Sequence, residues 1–167
     1  MGNLKESIEL MRIGTGFDVH VYTAGRKLIL GGVEIDYEKG LEGHSDADVL
    51  VHAVMDAILG ACGLGDIGIH FPDTDTKYKD ISSLKLLVEV RKKMEAKGFR
   101  IENIDTILIL QEPKIFKYFE SMRDNIANTL KIDISQINLK ATTTEHLGFC
   151  GRGEGVAAQA ITILKED

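Results

Sequence analysis

Residues 44–60 read HSDADVLVHAVMDAILG, and this stretch decides the fold. Val49, Leu50, Ala53, Val54, Ala57 and Ile58 recur at three- and four-residue spacing, the period of one apolar helix face. Ser45 or Asp46 is placed to cap the first free amides, and Gly60 and Gly63 end the pattern. Working outward toward the N-terminus, residues 11–17 and 27–35 read as two short strands, the second interrupted by Gly31 and Gly32, and are predicted to pair as a hairpin. On the other side, residues 63–80 turn to Gly, Asp, Thr and Pro, which marks a long, site-forming loop. A second helix is predicted over 82–97, with Leu84, Leu87, Val88, Arg91 and Met94 on one face and Gly98 just past its end. A buried strand at 104–111 follows, then a helix over 115–131 started by Pro113, then strands at 136–143 and 155–165. The order ββααβαββ predicts an α+β fold, a mixed four-stranded sheet plus a hairpin with helices on one face.

Composition narrows the function classes. The 167 residues carry 26 Asp plus Glu against 20 Lys plus Arg, a net charge of −6, and a chain of this length is expected to form one domain. Hydrophobic residues at 44% and charged residues at 28% argue against a disordered or fibrous chain. The carboxylate surplus disfavours binding to nucleic acid or to an anionic membrane. Cys62 and Cys150 are far apart with no C-x-x-C, so neither a disulfide framework nor a thiolate zinc cluster is indicated. No apolar run reaches the ~18 residues of a membrane span. The first ten residues lack a basic-then-apolar leader, and Glu6 stands where a myristoylation signal needs Ser or Thr, so a cytoplasmic protein is expected.

Three segments hold the candidate chemistry. Asp18 and His20, two apart at the end of a strand, leave on one face and could share an ion; alone they read more often as a turn-capping carboxylate beside a surface imidazole. His52, on the apolar helix, reads alone as a hydrogen-bonded core histidine. Together the three offer one oxygen and two nitrogens, an inventory suited to zinc with a fourth position open. Residues 65–75, GDIGIHFPDTD, hold three carboxylates among glycines; this is either a solvated turn or a sugar-hydroxyl grip, since the EF-hand spacing is missing. Residues 140–155, KATTTEHLGFCGRGEG, combine hydroxyls, Glu145, Arg152 and glycines. Gly151, Gly153 and Gly155 could turn amides toward an anion that Arg152 forks, or the segment is simply a glycine-rich hairpin.

With GFDVH (16–20), HSDAD (44–48), GDIG (65–68), FPDTD (71–75), KATTTE (140–145) and GRGEG (151–155) in this order, the chain from Met11 onward resembles the 2-C-methyl-D-erythritol 2,4-cyclodiphosphate synthases of the non-mevalonate isoprenoid pathway. The resemblance implies a homotrimeric lyase with active sites between subunits, converting 4-diphosphocytidyl-2-C-methyl-D-erythritol 2-phosphate to the cyclic diphosphate and CMP. It implies zinc on Asp18, His20 and His52, and magnesium or manganese on Glu145. His44 and Thr143 become the catalytic pair. His44 and Ser45 are implied to contact phosphates, Asp66 the ribose, and Phe71, Pro72, Asp73, Thr74 and Asp75 the methylerythritol part. Leu110, Gln111, Glu112, Pro113, Lys114, Ile115 and Phe116 are implied to form the cytosine and phosphate loop, with Thr142, Thr143, Phe149 and Arg152 around it. Val19, Ile67, Gly68 and Thr144 complete the implied substrate contacts. Residues 1–10 are then expected to be an N-terminal extension before a single domain, 11–167, without the preceding cytidylyltransferase domain of the family's fusions. The competing expectations are a zinc hydrolase of a nucleotide diphosphate and a non-catalytic cytidine-nucleotide-binding trimer.

Overall fold

The computed structural model describes residues 10–167; residues 1–9, almost all of the expected extension, lie outside the described residues. Period-two alternation organises the first strand, β1 (Met11–Ala24). Gly14, Gly16, Asp18 and His20 share its covered face, while Met11, Ile13, Phe17, Val19 and Val21 point away. Along eleven positions β1 pairs antiparallel with the last strand, β7 (Gly155–Glu166). β7 in turn pairs antiparallel with β5 (Phe99–Ile109), and β5 pairs parallel with β6 (Ile137–Thr142). A short strand, β4 (Lys39–Leu41), adds to the end of β1, which gives a five-stranded mixed sheet in the order β4-β1-β7-β5-β6 rather than the four strands expected.

The expected hairpin between 11–17 and 27–35 does not form. Residues 27–35 fold on themselves as β2 (Leu28–Leu30) and β3 (Val33–Ile35). Gly31 and Gly32, at φ +56° and +71°, supply the two positive values of a type I′ turn, so the tight local pairing wins over the distant one.

Helix α1 (Val49–Cys62) is buried almost throughout and lies across β1 and β7. Its cap is Asp48, not Ser45 or Asp46: the carboxylate accepts from Val51 N at 3.1 Å and from the Gly31 and Gly32 amides at 3.0 and 2.6 Å. One fully buried carboxylate thus ties helix to hairpin. The strand approaches so closely that a Cβ on Gly14 would fall 1.9 Å from Ala57 O, and one on Gly16 2.0 Å from Ala53 O. Small residues at those four positions let helix and strand backbones touch.

Within the expected loop, residues Ile67–His70 form a short helix, α2. Helices α3 (Ser83–Ala96) and α4 (Phe119–Leu130) extend the same layer; α4 starts later than the expected 115 because Phe116–Tyr118 makes a 3₁₀ turn first. A one-turn helix, α5 (Gly148–Gly151), interrupts the glycine-rich segment. Among the described residues nothing covers the other sheet face, with Ile13 72% and Phe17 59% exposed. Among the described residues no helix is long and apolar enough to cross a membrane.

Candidate metal centre and substrate clefts

The tight contact of β1 with α1 builds the centre. Two and four residues beyond Gly16 on the same strand face come Asp18 and His20, and they meet His52 on the first turn of α1. Asp18 Oδ2 lies 2.9 Å from His20 Nε2 and 3.0 Å from His52 Nδ1, and the two nitrogens are 3.1 Å apart. Zinc–ligand bonds of about 2.0–2.1 Å at tetrahedral angles separate ligand atoms by about 3.3 Å, so the triangle has the size of one coordination face. Burial pushes the Asp18 carboxyl up, but the hydrogen bonds from His20 and His52 outweigh it and hold the carboxyl well below the usual carboxylate range. For His20, burial pulls down and Asp18 more than restores it, so the imidazole is raised. Both shifts favour positive charge at the middle of the triangle.

The outer hydrogen bonds orient the two rings. His20 Nδ1 donates to the Glu42 carbonyl at 2.6 Å, which turns Nε2 toward the triangle. His52 Nε2 lies 2.9 Å from Ser83 Oγ and 3.2 Å from Ser45 Oγ, deep under the cleft. Once the hydrogens that His20 Nε2 and His52 Nδ1 share with Asp18 are released, an oxygen and two nitrogen lone pairs converge, a donor set that fits a divalent ion.

A cleft of about 460 Å³ opens over this triangle, walled by His44, Ile67, Gly68, Phe71, Pro72 and Asp73. His44 is held on both sides, because Arg26 donates to Gly43 O at 2.7 Å and to Ser45 O at 2.6 Å. Its Nε2 donates to Asp75 O at 3.2 Å. Ser45 is buried with its hydroxyl turned inward, and the Val19 side chain points to the opposite sheet face, so only the Val19 amide, donating to Asp18 Oδ1 at 2.8 Å, stands near the centre. Asp66 caps α2, accepting from Ile69 N at 3.0 Å. One turn beyond His52, Asp56 accepts from Ile67 N at 2.8 Å and so fastens this loop to α1; burial raises the Asp56 carboxyl against that amide's pull. Thr74 is exposed, and Asp75 pairs with Lys77 at 2.9 Å.

The remaining expected site residues gather elsewhere. Leu110, Gln111, Pro113, Lys114, Ile115 and Phe116 line a second cleft of about 210 Å³ with Thr142 and Thr143. Glu112 is not in its wall; its carbonyl accepts from Tyr22 Oη at 2.6 Å. Val19, Ala157, Ile109 and Thr142 occupy one register row across the sheet, and three strand spacings put Thr142 about 14 Å from β1. The metal triangle and the threonine loop are thus two separate clefts on one chain.

Thr143 Oγ1 donates to Glu145 Oε1 at 2.6 Å. Glu145 and His146 both hold left-handed backbone, at φ +50° and +65°, which costs of order 1 kcal/mol or more each. Thr144 Oγ1 donates to Leu147 O, Phe149 is partly exposed, and Arg152 forks onto Glu154 at 2.7 and 3.1 Å. The anion-loop reading of the glycines is not what the structure shows. The amides of Gly151 and Gly153 already bond Leu147 O and Cys150 O, and Gly155 is required because a Cβ there would meet His20 O at 2.4 Å. Sequence reasoning missed Arg26, Glu42, Asp56 and Ser83; each acts through a carbonyl, an amide or a hydroxyl contact with no motif of its own.

A family model described as the YgbB family matches residues 11–165. The chain belongs to the YgbB family. A curated relative from Desulforamulus reducens, named 2-C-methyl-D-erythritol 2,4-cyclodiphosphate synthase, is 58% identical over 156 residues, covering 93% of this chain and 99% of its own. Among solved structures, the bifunctional IspDF from Campylobacter jejuni superposes with a TM-score of 0.92 at 48% identity over 95% of this chain, which spans 43% of that longer protein. A CDP complex of IspF from Plasmodium falciparum matches with a TM-score of 0.83 at 35% identity, over 94% of this chain and 97% of that one. This YgbB-family chain therefore shares its architecture with a protein that holds a cytidine nucleotide.

Proposed function

We propose that the protein is a 2-C-methyl-D-erythritol 2,4-cyclodiphosphate synthase, a lyase that closes 4-diphosphocytidyl-2-C-methyl-D-erythritol 2-phosphate into the cyclic diphosphate and releases CMP. The observation that carries this reading is the convergence of Asp18 Oδ2, His20 Nε2 and His52 Nδ1 within 3.1 Å of one another at the floor of a cleft, in a chain of this family. We assign zinc to that triangle, and magnesium or manganese to Glu145. When bound, such ions supply positive charge that neutralises phosphate oxygens. The domain reading is residues 11–167 as one synthase domain, supported by the match over 11–165. A cytoplasmic location goes with it, supported by Cys62 and Cys150 as buried free thiols.

The nucleophile is the substrate's own 2-phosphate, which is anionic at neutral pH, so no side chain has to remove a proton. What the protein supplies is folding of the substrate: intramolecular attack on the β-phosphorus gains up to roughly 7–11 kcal/mol from proximity. The His44 Nε2–H bond to Asp75 is long enough for a phosphate oxygen to replace it, and Arg26 fixes the turn that presents it. Thr143 stands ready to donate from the other half-site, with Lys114 beside it. The wall from Ile67 to Asp73 is assigned to the methylerythritol part, and the 110–116 loop to the cytosine.

A homotrimer with sites between subunits is part of the proposal. Two features support it: the ~14 Å between half-sites on one chain, and the apolar stripe of Met11, Ile13, Phe17, Val19, Val21 and Ile161 on the uncovered sheet face. Phosphorus NMR of the protein with zinc, magnesium and the diphosphocytidyl substrate tests the function. Cyclic diphosphate with CMP is expected; linear phosphates would establish a hydrolase, and unchanged substrate a binding protein.

A further inference from the structure

We infer that Asp46 and Ser83 set the tautomer of His52, and through it the affinity of the metal centre, which makes Asp46 a positioning residue two hydrogen bonds away from the ion. The inference rests on the metal reading of Asp18, His20 and His52. Ser83 opens α3, fully buried, and is gripped twice by one carboxylate: its amide donates to Asp46 Oδ2 at 3.0 Å and its hydroxyl to Asp46 Oδ1 at 2.5 Å. A carboxylate only accepts, so the Ser83 proton is committed to Asp46. The Ser83 oxygen then has only lone pairs left for His52 Nε2, 2.9 Å away, which calls for a hydrogen on that nitrogen. Nδ1, 3.0 Å from Asp18 Oδ2 and 3.1 Å from His20 Nε2, is then the nitrogen that gives up its hydrogen to an ion. Ser45 Oγ, at 3.2 Å, sits beside the same nitrogen but already accepts from Ala47 N, and its own proton is not fixed by a carboxylate.

The direction of this chain, rather than its mere presence, is what matters. In Asp46→Asn the Ser83 amide still needs an acceptor, so the side-chain oxygen stays there and the NH₂ turns to Ser83 Oγ. The hydroxyl is then a donor toward His52 Nε2, and the ring hydrogen moves to Nδ1, the atom that should face the ion. A purely structural tie between α3 and the 43–48 turn predicts the opposite ranking, since Asp46→Asn keeps both contacts while Ser83→Ala deletes one.

The test is zinc affinity of the full chain by chelator competition, together with ¹⁵N spectra of the His52 imidazole after zinc removal. For Asp46→Asn we expect the Nδ1–H tautomer and a zinc Kd weakened by roughly 10–100-fold. For Ser83→Ala we expect a mixture of tautomers and a smaller loss. An Asp46→Asn protein that keeps the Nε2–H tautomer, or that binds zinc as tightly as wild type, overturns the inference. If thermal melts show Asp46→Asn unfolded, Ser83→Ala decides: an unchanged tautomer with unchanged affinity overturns it. Should wild type bind no divalent ion, the metal reading falls, while the tautomer measurement still decides the relay.

Discussion

Replacing Gly16 by Ala should damage the metal centre without touching any of its ligands. A Cβ built on Gly16 lies 2.0 Å from Ala53 O, 2.8 Å from Ala57 N and 2.9 Å from Ala53 C, all backbone of α1 that no rotamer change can move aside. Relief to a carbon–oxygen contact of about 3.3 Å requires β1 and α1 to part by roughly 1.3 Å. Overpacking of this kind costs about 1–3 kcal/mol, and for a domain of this size each kcal/mol lowers Tm by roughly 2–4 °C. Asp18 and His20 ride on β1 and His52 on α1, so the same parting stretches a triangle whose sides are now 2.9–3.1 Å. Gly14→Ala is the control: its Cβ meets Ala57 O at 1.9 Å, an equal insult placed two residues further from the ligands. Thermal melts and zinc titration of both variants make the measurement. The expected result is a similar fall in Tm for both, with zinc affinity falling further for Gly16→Ala. A Gly16→Ala protein with wild-type Tm and wild-type zinc affinity would refute the idea that this contact sets the site's dimensions.

His52→Ala leaves two protein ligands and should lose zinc and turnover together; full activity with zinc retained would remove His52 from the centre. Glu145→Gln should keep zinc but alter the dependence of rate on magnesium or manganese, and a superimposable magnesium titration would count against Glu145 as that ligand. Burial pushes the Asp48 carboxyl up to about 6, with the Gly32, Val51 and Gly31 amides pulling it back. A folded-state value above the unfolded 3.8 means that stability from this group is present at low pH and is lost as pH rises through about 4 to 6. Urea unfolding of wild type and Asp48→Asn across that window should therefore show the difference moving in favour of Asn as pH rises, and a constant difference would show that Asp48 does not titrate there.

The parts of this fold that could be read from sequence are those where one element's periodicity carries the information. Spacing within 44–60 located α1, and alternation put Asp18 and His20 on one strand face. Pairing across long separations was not legible: β1 was expected beside 27–35, whereas its partner is β7 at the far end of the chain, and nothing local to either strand says so. The cap went to Asp48 because the amides of a distant hairpin outbid the sequence-local choice. Ligands of the centre were named from residue type; the groups that aim them were not, since a glutamate carbonyl and a serine 31 positions from His52 leave no pattern. Gly155 misled for a related reason, as its missing side chain makes room for His20's carbonyl rather than for a ligand.

Gly14 and Gly16 also make a length constraint. Two strand residues advance about 6.6 Å and four helix residues about 6 Å, so Gly14 against Ala57 and Gly16 against Ala53 are two matched teeth of a strand–helix rack. Inserting one residue in β1 would flip Asp18 and His20 to the opposite sheet face, and inserting one in α1 would swing His52 by about 100° relative to Asp56 and the loop it fastens. Descendants of this chain are free to lengthen its turns, but residues 14–20 and 52–57 form a gauge whose divisions evolution can repaint only one for one.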